Sequence, residues 1–345
     1  MPISLVNMPE ERVMRILYII GNGFDKAHGL NTDYRGFREY LQNNHPDFLY
    51  SFEKLYGFIP LDPTEYGYSK KLQEKWDASV LNSLWSEFEK DMATPDIADM
   101  IAFSESVVDS MNLESGNIGI QDTMDQYWRK EYGFINQLQS YIKEWISQID
   151  ISNVVPMQQN LVNNEDDCFF SFNYTAILEE VYGVPHVMHI HGSIVDDFDG
   201  DPIIGHCNRE EIQNRRAMSR KAKEIFDEGD ASIQAAIADY LEAIYKDTAF
   251  LININQRFFR KLHDVKRVII IGWSAGAVDI PYLREIRDSI HPNTKWTVYY
   301  YAENDTDRKA YDSLWAAFEN CGIHEQSEVN FVDSKYFWDQ EIIRH

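Results

Sequence analysis

The sequence predicts an α/β fold: a mostly parallel sheet of about six strands that carries helical insertions. Three observations predict it. Short apolar runs rich in β-branched and aromatic residues recur along the chain, and three of them lead into a glycine, at Gly21, Gly192 and Gly272. Long stretches separate the runs, as parallel pairing requires.

The first run, residues 15–20 (RILYII), ends at Gly21-Asn22-Gly23 and reads as a buried strand opening into a turn. Comparable runs follow at 168–172 (CFFSF), 187–190 (VMHI), 267–271 (RVIII) and 296–301 (WTVYYY), with a weaker one at 329–332. Between them, residues 33–152 show helical stripes such as Leu138, Tyr141, Ile142, Trp145, Ile146 and Ile149. Residues 208–263 carry a second stripe at Ile233, Ile237, Leu241 and Ile244. The expected organisation is one α/β core (14–32, 153–207 and 264–345) with a helical insertion (33–152) and a second insertion or lid (208–263). The polar stretch 114–121 reads as an exposed loop. Residues 176–182 leave room for one crossover helix between the second and third strands.

Of 345 residues, 44% are apolar, and a chain of this size buries about 75% of its unfolded surface, so a real core is expected. No apolar run reaches the ~18 residues that span a bilayer. The start carries Glu10 and Glu11 rather than the basic-then-apolar order of a signal peptide; Met8 and Met14 are alternative starts. Cys168, Cys207 and Cys321 cannot all pair and lack C-x-x-C spacing, which fits a reducing, cytoplasmic location. With 32 Lys and Arg against 56 Asp and Glu, the net charge is −24. That disfavours direct nucleic-acid binding, because affinity for a phosphate backbone rests on cationic contacts. Arg215, Arg216, Arg220, Lys221 and Lys223 fall in a helical stretch and read as a solvated face or, alternatively, a phosphate or partner contact.

Gly21-Asn22-Gly23-Phe24-Asp25 follows the first strand. Glycines there allow a tight turn and close approach to a phosphate, with amides of the turn and helix facing a pyrophosphate. Lys26 stands where the G-x-G-x-x-G fingerprint has its last glycine, so an ordinary strand-to-helix turn with Asp25 as N-cap is the competing reading. Asn173 ends the second strand and His191 the third, where ligand groups sit in parallel α/β sheets.

The run G-N-G-F-D-K-A-H-G-L, with Gly29 and then Asp33-Tyr34-Arg35-Gly36, resembles the sirtuin loop. Asp25 departs from it by replacing a serine. The N-Y-T after Phe172 and the I-H-G-S at 190–193 resemble strand ends of sirtuin-like domains in bacterial defence proteins, and the I-G-W-S at 271–274 followed by Val278-Asp279 resembles the sirtuin G-T-S-x-x-V run on the adenosine side. The opening LYIIGNGFDKAHGLNTDY with F-N-Y-T, H-I-H-G-S and I-I-G-W-S is similar to the AbiH family of phage abortive-infection proteins. The resemblance implies a Rossmann-like, sirtuin-like core that binds NAD and cleaves its nicotinamide–ribose bond. It implies that Asn173 orients the ribose or the attacking water, that His191 is the base, and that Gly21, Asn22, Gly23, Phe24, Asp25, Gly29, Arg35, Gly272, Ser274 and Asp279 contact NAD. It also implies activity held low until infection, with a phage-derived trigger, a defence partner or homo-oligomerisation as controls. The sirtuin zinc-ribbon cysteine pairs are missing, which argues against protein deacetylation.

Two other readings compete. A non-catalytic NAD or ADP-ribose sensor would use the same Asn and His. A metal-dependent hydrolase would draw on His186, His189, His191, His206 and Cys207, but no second cluster of close-spaced ligands accompanies them, and no metal is expected. Asp197-Phe198-Asp199-Gly200-Asp201 hints at a calcium loop but lacks the glycine and glutamate positions of an EF-hand.

Overall fold

A computed structural model describes residues 15–64, 66–110, 120–158, 161, 166–194, 200–302, 308–325 and 327–339. Met8, Met14, most of the 114–121 loop and residues 197–199 lie outside the described residues. Ile120 opens a helix rather than ending that loop.

Six strands form one parallel sheet: β1 (Ile16–Ile20), β2 (Cys168–Ser171), β3 (Val187–His189), β4 (Arg267–Ile271), β5 (Lys295–Tyr300) and β6 (Val329–Asp333). The order is β3-β2-β1-β4-β5-β6, so the fold is Rossmann-like α/β. Every residue of β1 is buried. Its alternation supplies both faces: Leu17 and Ile19 pack with Val268, Ile270 and Val298, while Ile16, Tyr18 and Ile20 pack with Phe169, Ile269 and Ile271. A strand buried on both sides needs apolar residues at each position, which is why RILYII shows no polar alternation.

The chain runs outward from β1 to β3, then crosses back to place β4 on the other side of β1. The carboxyl ends of β1 and β4 therefore flank the point where strand order reverses, the usual ligand crevice of such sheets. The crossover between β2 and β3 is one π-helical turn, Ile177–Val181, rather than an ordinary helix. It closes at Gly183, whose φ of +70° suits glycine.

The two insertions share a single apolar core. Phe37, Phe52, Trp85, Phe88, Trp128 and Trp145 of the first pack with Ile233, Ile237, Tyr240 and Leu241 of the second. The stripe Leu138–Ile146 is a helix, with Ile149 beyond its end; Glu228–Ala243 carries Ile233, Ile237 and Leu241 of the other stripe, with Ile244 just past its end. Polar bridges tie the lobe together. Arg38 donates to both oxygens of Glu53 at 2.6 and 3.2 Å, and the Trp85 indole adds a third bond to Glu53 at 2.8 Å. Among the described residues no helix is long and apolar enough to cross a membrane.

Candidate functional site

Glycines let the ends of β1 and β4 press together. Gly272 has φ +71°, and a Cβ there would stand 2.2 Å from the Phe24 nitrogen; one on Gly21 would stand 2.6 Å from the Gly272 oxygen. The Gly21 amide donates to the Ile271 carbonyl at 2.9 Å and the Gly23 amide to the Gly272 carbonyl at 2.8 Å. These two N–H groups thus face a neighbouring strand end, not open space for a pyrophosphate. The helix α1 (Asn22–Ala27) that follows has Gly21 as its N-cap. Asp25, a cap in the competing reading of the loop, lies inside the helix because the helix begins earlier. Phe24 is buried among His28, Tyr182 and Trp338. Asn22 accepts from Thr32, and Gly29, at φ +81°, closes α1 by donating to the Lys26 carbonyl.

Asn173 sits in a bonded network past the end of β2. Its amide nitrogen donates to the Gly21 carbonyl at 3.1 Å and to Asp25 Oδ1 at 2.6 Å, while Thr175 Oγ1 donates to Asp25 Oδ2 at 2.6 Å. The Asn173 backbone carbonyl is 2.7 Å from His189 Nδ1, and His189 Nε2 is 2.8 Å from Glu179 Oε1. Burial pushes Asp25 up to about 6; the bonds from Thr175 and Asn173 and the nearby His189 oppose that shift, and Glu179 adds to it. The side-chain oxygen of Asn173 is buried and without a hydrogen-bond partner.

His191 lies beyond β3 in a different setting. Its ring packs against Phe172, whose ring stacks on Trp273, and edge-on to Tyr282. His191 Nε2 stands 3.8 Å from Asp279 Oδ1, and both atoms are buried without a partner. The other oxygen of Asp279 accepts from the Trp273 indole at 3.0 Å. Burial holds His191 well below its usual range, and the Lys246 charge adds to that. Burial, with Glu89 beside it, pushes Asp279 up to about 7, against the pull of Lys246. A polar atom without a partner costs about 1–3 kcal/mol when buried, so three such atoms at one sheet edge make it the candidate place for a water or a polar ligand group.

The insertions form the roof. Lys246, from the second, is fully buried and pairs with Glu89, from the first. Tyr34 and Tyr174 lie beside them, and the Tyr174 hydroxyl donates to the Ile203 carbonyl at 3.0 Å. His191 is 3% and Asn173 7% exposed, so the site is closed.

The sequence-selected residues separate into groups. Gly21, Asn22, Gly23, Phe24, Asp25, Asn173 and Gly272 meet at the β1 and β2 ends, and His191 and Asp279 meet over β3 and β4. Ser274 is exposed. Arg35 is exposed, bonds Asn82 at 3.2 Å, and lines a recess of about 390 Å3 with Asn31, Asp33 and Arg38. A second recess of about 400 Å3 lies by Arg209, Arg216 and Arg220. Neither recess is lined by Asn173, His191 or Asp279. Of the basic group, Arg216 is held by Asp239 and Glu242, and Arg215 by Glu211. Among the described residues no group of three or more His, Cys, Asp or Glu side chains could hold a metal ion; His206 bonds the Leu241 carbonyl and the Asn208 amide instead. Glu89, Lys246, Thr175 and Glu179 were not visible as site residues. Only the fold brings the first two to the sheet edge, although the shared spacing of Asn173 and Thr175 at i, i+2 was a usable hint for the third.

No curated protein matches the chain by sequence. A family model, that of the bacteriophage abortive infection protein AbiH, does match, over residues 17–300. That span runs from β1 to the end of β5 and takes in the glycine crossing, Asn173, His191, Asp279 and both roof residues, so this chain belongs to the AbiH family of bacteriophage abortive infection proteins.

Proposed function

We propose that the chain is a phage-defence NAD hydrolase whose reaction centre is the gap between His191 and Asp279. The observation that carries this reading is the pair of buried, partnerless atoms 3.8 Å apart. A water or ribose hydroxyl set beside the pair, off the line that joins the two atoms, reaches both at hydrogen-bond distance. His191, neutral because it is buried, accepts a proton, and Asp279 orients the hydroxyl or shares that proton. Asn173 supplies an acceptor oxygen at the adjacent strand end. In NAD the bond from ribose to the pyridinium nitrogen breaks and nicotinamide leaves as a neutral molecule, so the leaving group needs no acid. Water adds to the ribose carbon, its proton passes to the base, and ADP-ribose and one proton result.

The closed roof fits an enzyme held inactive until a phage-derived trigger, a defence partner or self-association parts Glu89 from Lys246. The same closure, with the Gly21 and Gly23 amides already bonded, also favours a second reading, a sensor that binds NAD or ADP-ribose without cleaving it. NAD measured in host cells through a phage infection separates the two. With wild-type protein NAD falls, and with Asn173→Ala or His191→Ala it holds. Protection from phage without any loss of NAD would discard catalysis and leave the sensor.

A further inference from the structure

An asparagine side chain has two faces to offer, and the carboxylate that replaces the serine of sirtuin-like loops bears on which one Asn173 shows. Both amide hydrogens of Asn173 are taken, one by the Gly21 carbonyl and one by Asp25 Oδ1. The assignment of nitrogen and oxygen follows from those acceptors, since neither can donate while Asp25 is ionised. Asp25 is in turn held by Thr175 through its other oxygen. Asp25 is 1% exposed, too deep for a surface role, and it is not a cap.

We propose that Asp25 is a positioning residue, which with the Gly21 carbonyl locks the Asn173 amide so that only its carbonyl oxygen meets the bound ribose. This rests on the NAD reading above. A locked acceptor selects a ligand that donates, such as a ribose hydroxyl or a water molecule, and it rejects a phosphate oxygen at that position. A buried anion within α1 would also repel a pyrophosphate brought close to the glycine loop. The groups facing Asp25 are Asn173 and Thr175 past β2, His189 of β3 and Glu179 of the crossover turn. Protonation of Asp25 leaves one oxygen as an O–H donor and weakens the clamp, so the lock is firmest above about pH 6.

The test uses the full chain, as wild type, Asp25→Ala and Asp25→Asn. Asparagine keeps an acceptor for Asn173 and carries no charge, so it separates the clamp from its pH dependence. Hydrogen exchange of the Asn173 side-chain amide, read by NMR on 15N-labelled protein, reports the clamp without any activity. It is slow in wild type and in Asp25→Asn and fast in Asp25→Ala. With NAD, Asp25→Ala lowers kcat about 10–100-fold with little change in KM. Asp25→Asn restores most of it and flattens the profile between pH 5 and 7. Equal exchange in wild type and Asp25→Ala overturns the clamp whatever the activity. Slow exchange with no NAD cleavage even when extract of phage-infected cells is added refutes the hydrolase reading instead; Asp25→Ala must then weaken ADP-ribose binding, or the positioning role fails as well.

Discussion

Around Asn173 most polar atoms are bonded in a chain from Glu179 through His189 to Asp25 and Thr175, which leaves the Asn173 side-chain oxygen as the open acceptor, whereas around His191 both atoms suited to chemistry, His191 Nε2 and Asp279 Oδ1, have no hydrogen-bond partner. The first arrangement is a scaffold: removing one member leaves others unsatisfied. The second is held by apolar rings and by a roof, so its polar atoms keep their hydrogen-bonding capacity for a ligand. The difference teaches which half of the sheet edge carries stability and which carries reactivity, and substitutions on the two sides should behave differently.

The largest effect expected is on the reactive side. His191→Ala lowers NAD cleavage about 10²–10⁴-fold while the thermal midpoint shifts by only a few degrees, because the ring makes van der Waals contacts rather than a network. Loss of both activity and fold would erase the contrast. The roof comes next. Lys246→Met strands Glu89 as a buried unpaired charge and costs about 3–5 kcal/mol of stability by denaturant unfolding. Adding Glu89→Leu recovers most of it, since a buried pair replaced by apolar residues is near neutral.

A third effect depends on pH. Asp279 titrates near 7 in the fold and near 4 when unfolded. Between those values the folded carboxyl holds more protons, so the contribution of Asp279 to stability falls as pH rises from about 4 to about 7, opposite in sense to that of the buried His191 and His206. Asp25 contributes in the same sense as Asp279 up to about 6. Asp279→Asn removes the larger share of the slope, and comparing unfolding midpoints of this variant and wild type at pH 5 and pH 8 checks it. The smallest effect lies off the edge altogether. Arg35→Ala, an exposed side chain with one bond to Asn82, changes stability by less than about 0.5 kcal/mol and leaves NAD cleavage within a few-fold of wild type.

The sheet was legible because strands buried on both faces must be apolar throughout, and runs such as ILYII and RVIII have no other economical reading. Strand order was not legible, since nothing local in β4 says that it returns to the far side of β1. Asn173 and His191 could be selected as strand ends, and Asp279 as part of a loop. That Asp279 faces His191 depends on how the stretch from Gly272 to Asp279 folds, with Ala275 at φ +61°. Lys246, in the connection between the helices Glu228–Ala243 and Thr248–Ile254, and Glu89, in the short helix Phe88–Asp91, stand far apart in the chain, and only packing of the two insertions into one core brings them together. The glycine loop misled in a specific way: Gly21 and Gly23 permit close approach, but the partner is the backbone of Gly272 and Trp273.

The most direct measurement is release of labelled nicotinamide from NAD by the purified full chain, alone and with extract of phage-infected cells, beside His191→Ala and Asp279→Asn. Stoichiometric nicotinamide and ADP-ribose from the triggered wild type, and almost none from His191→Ala, is the result the account predicts. Equal release from wild type and His191→Ala, or tight NAD binding with no release under any condition, would contradict it.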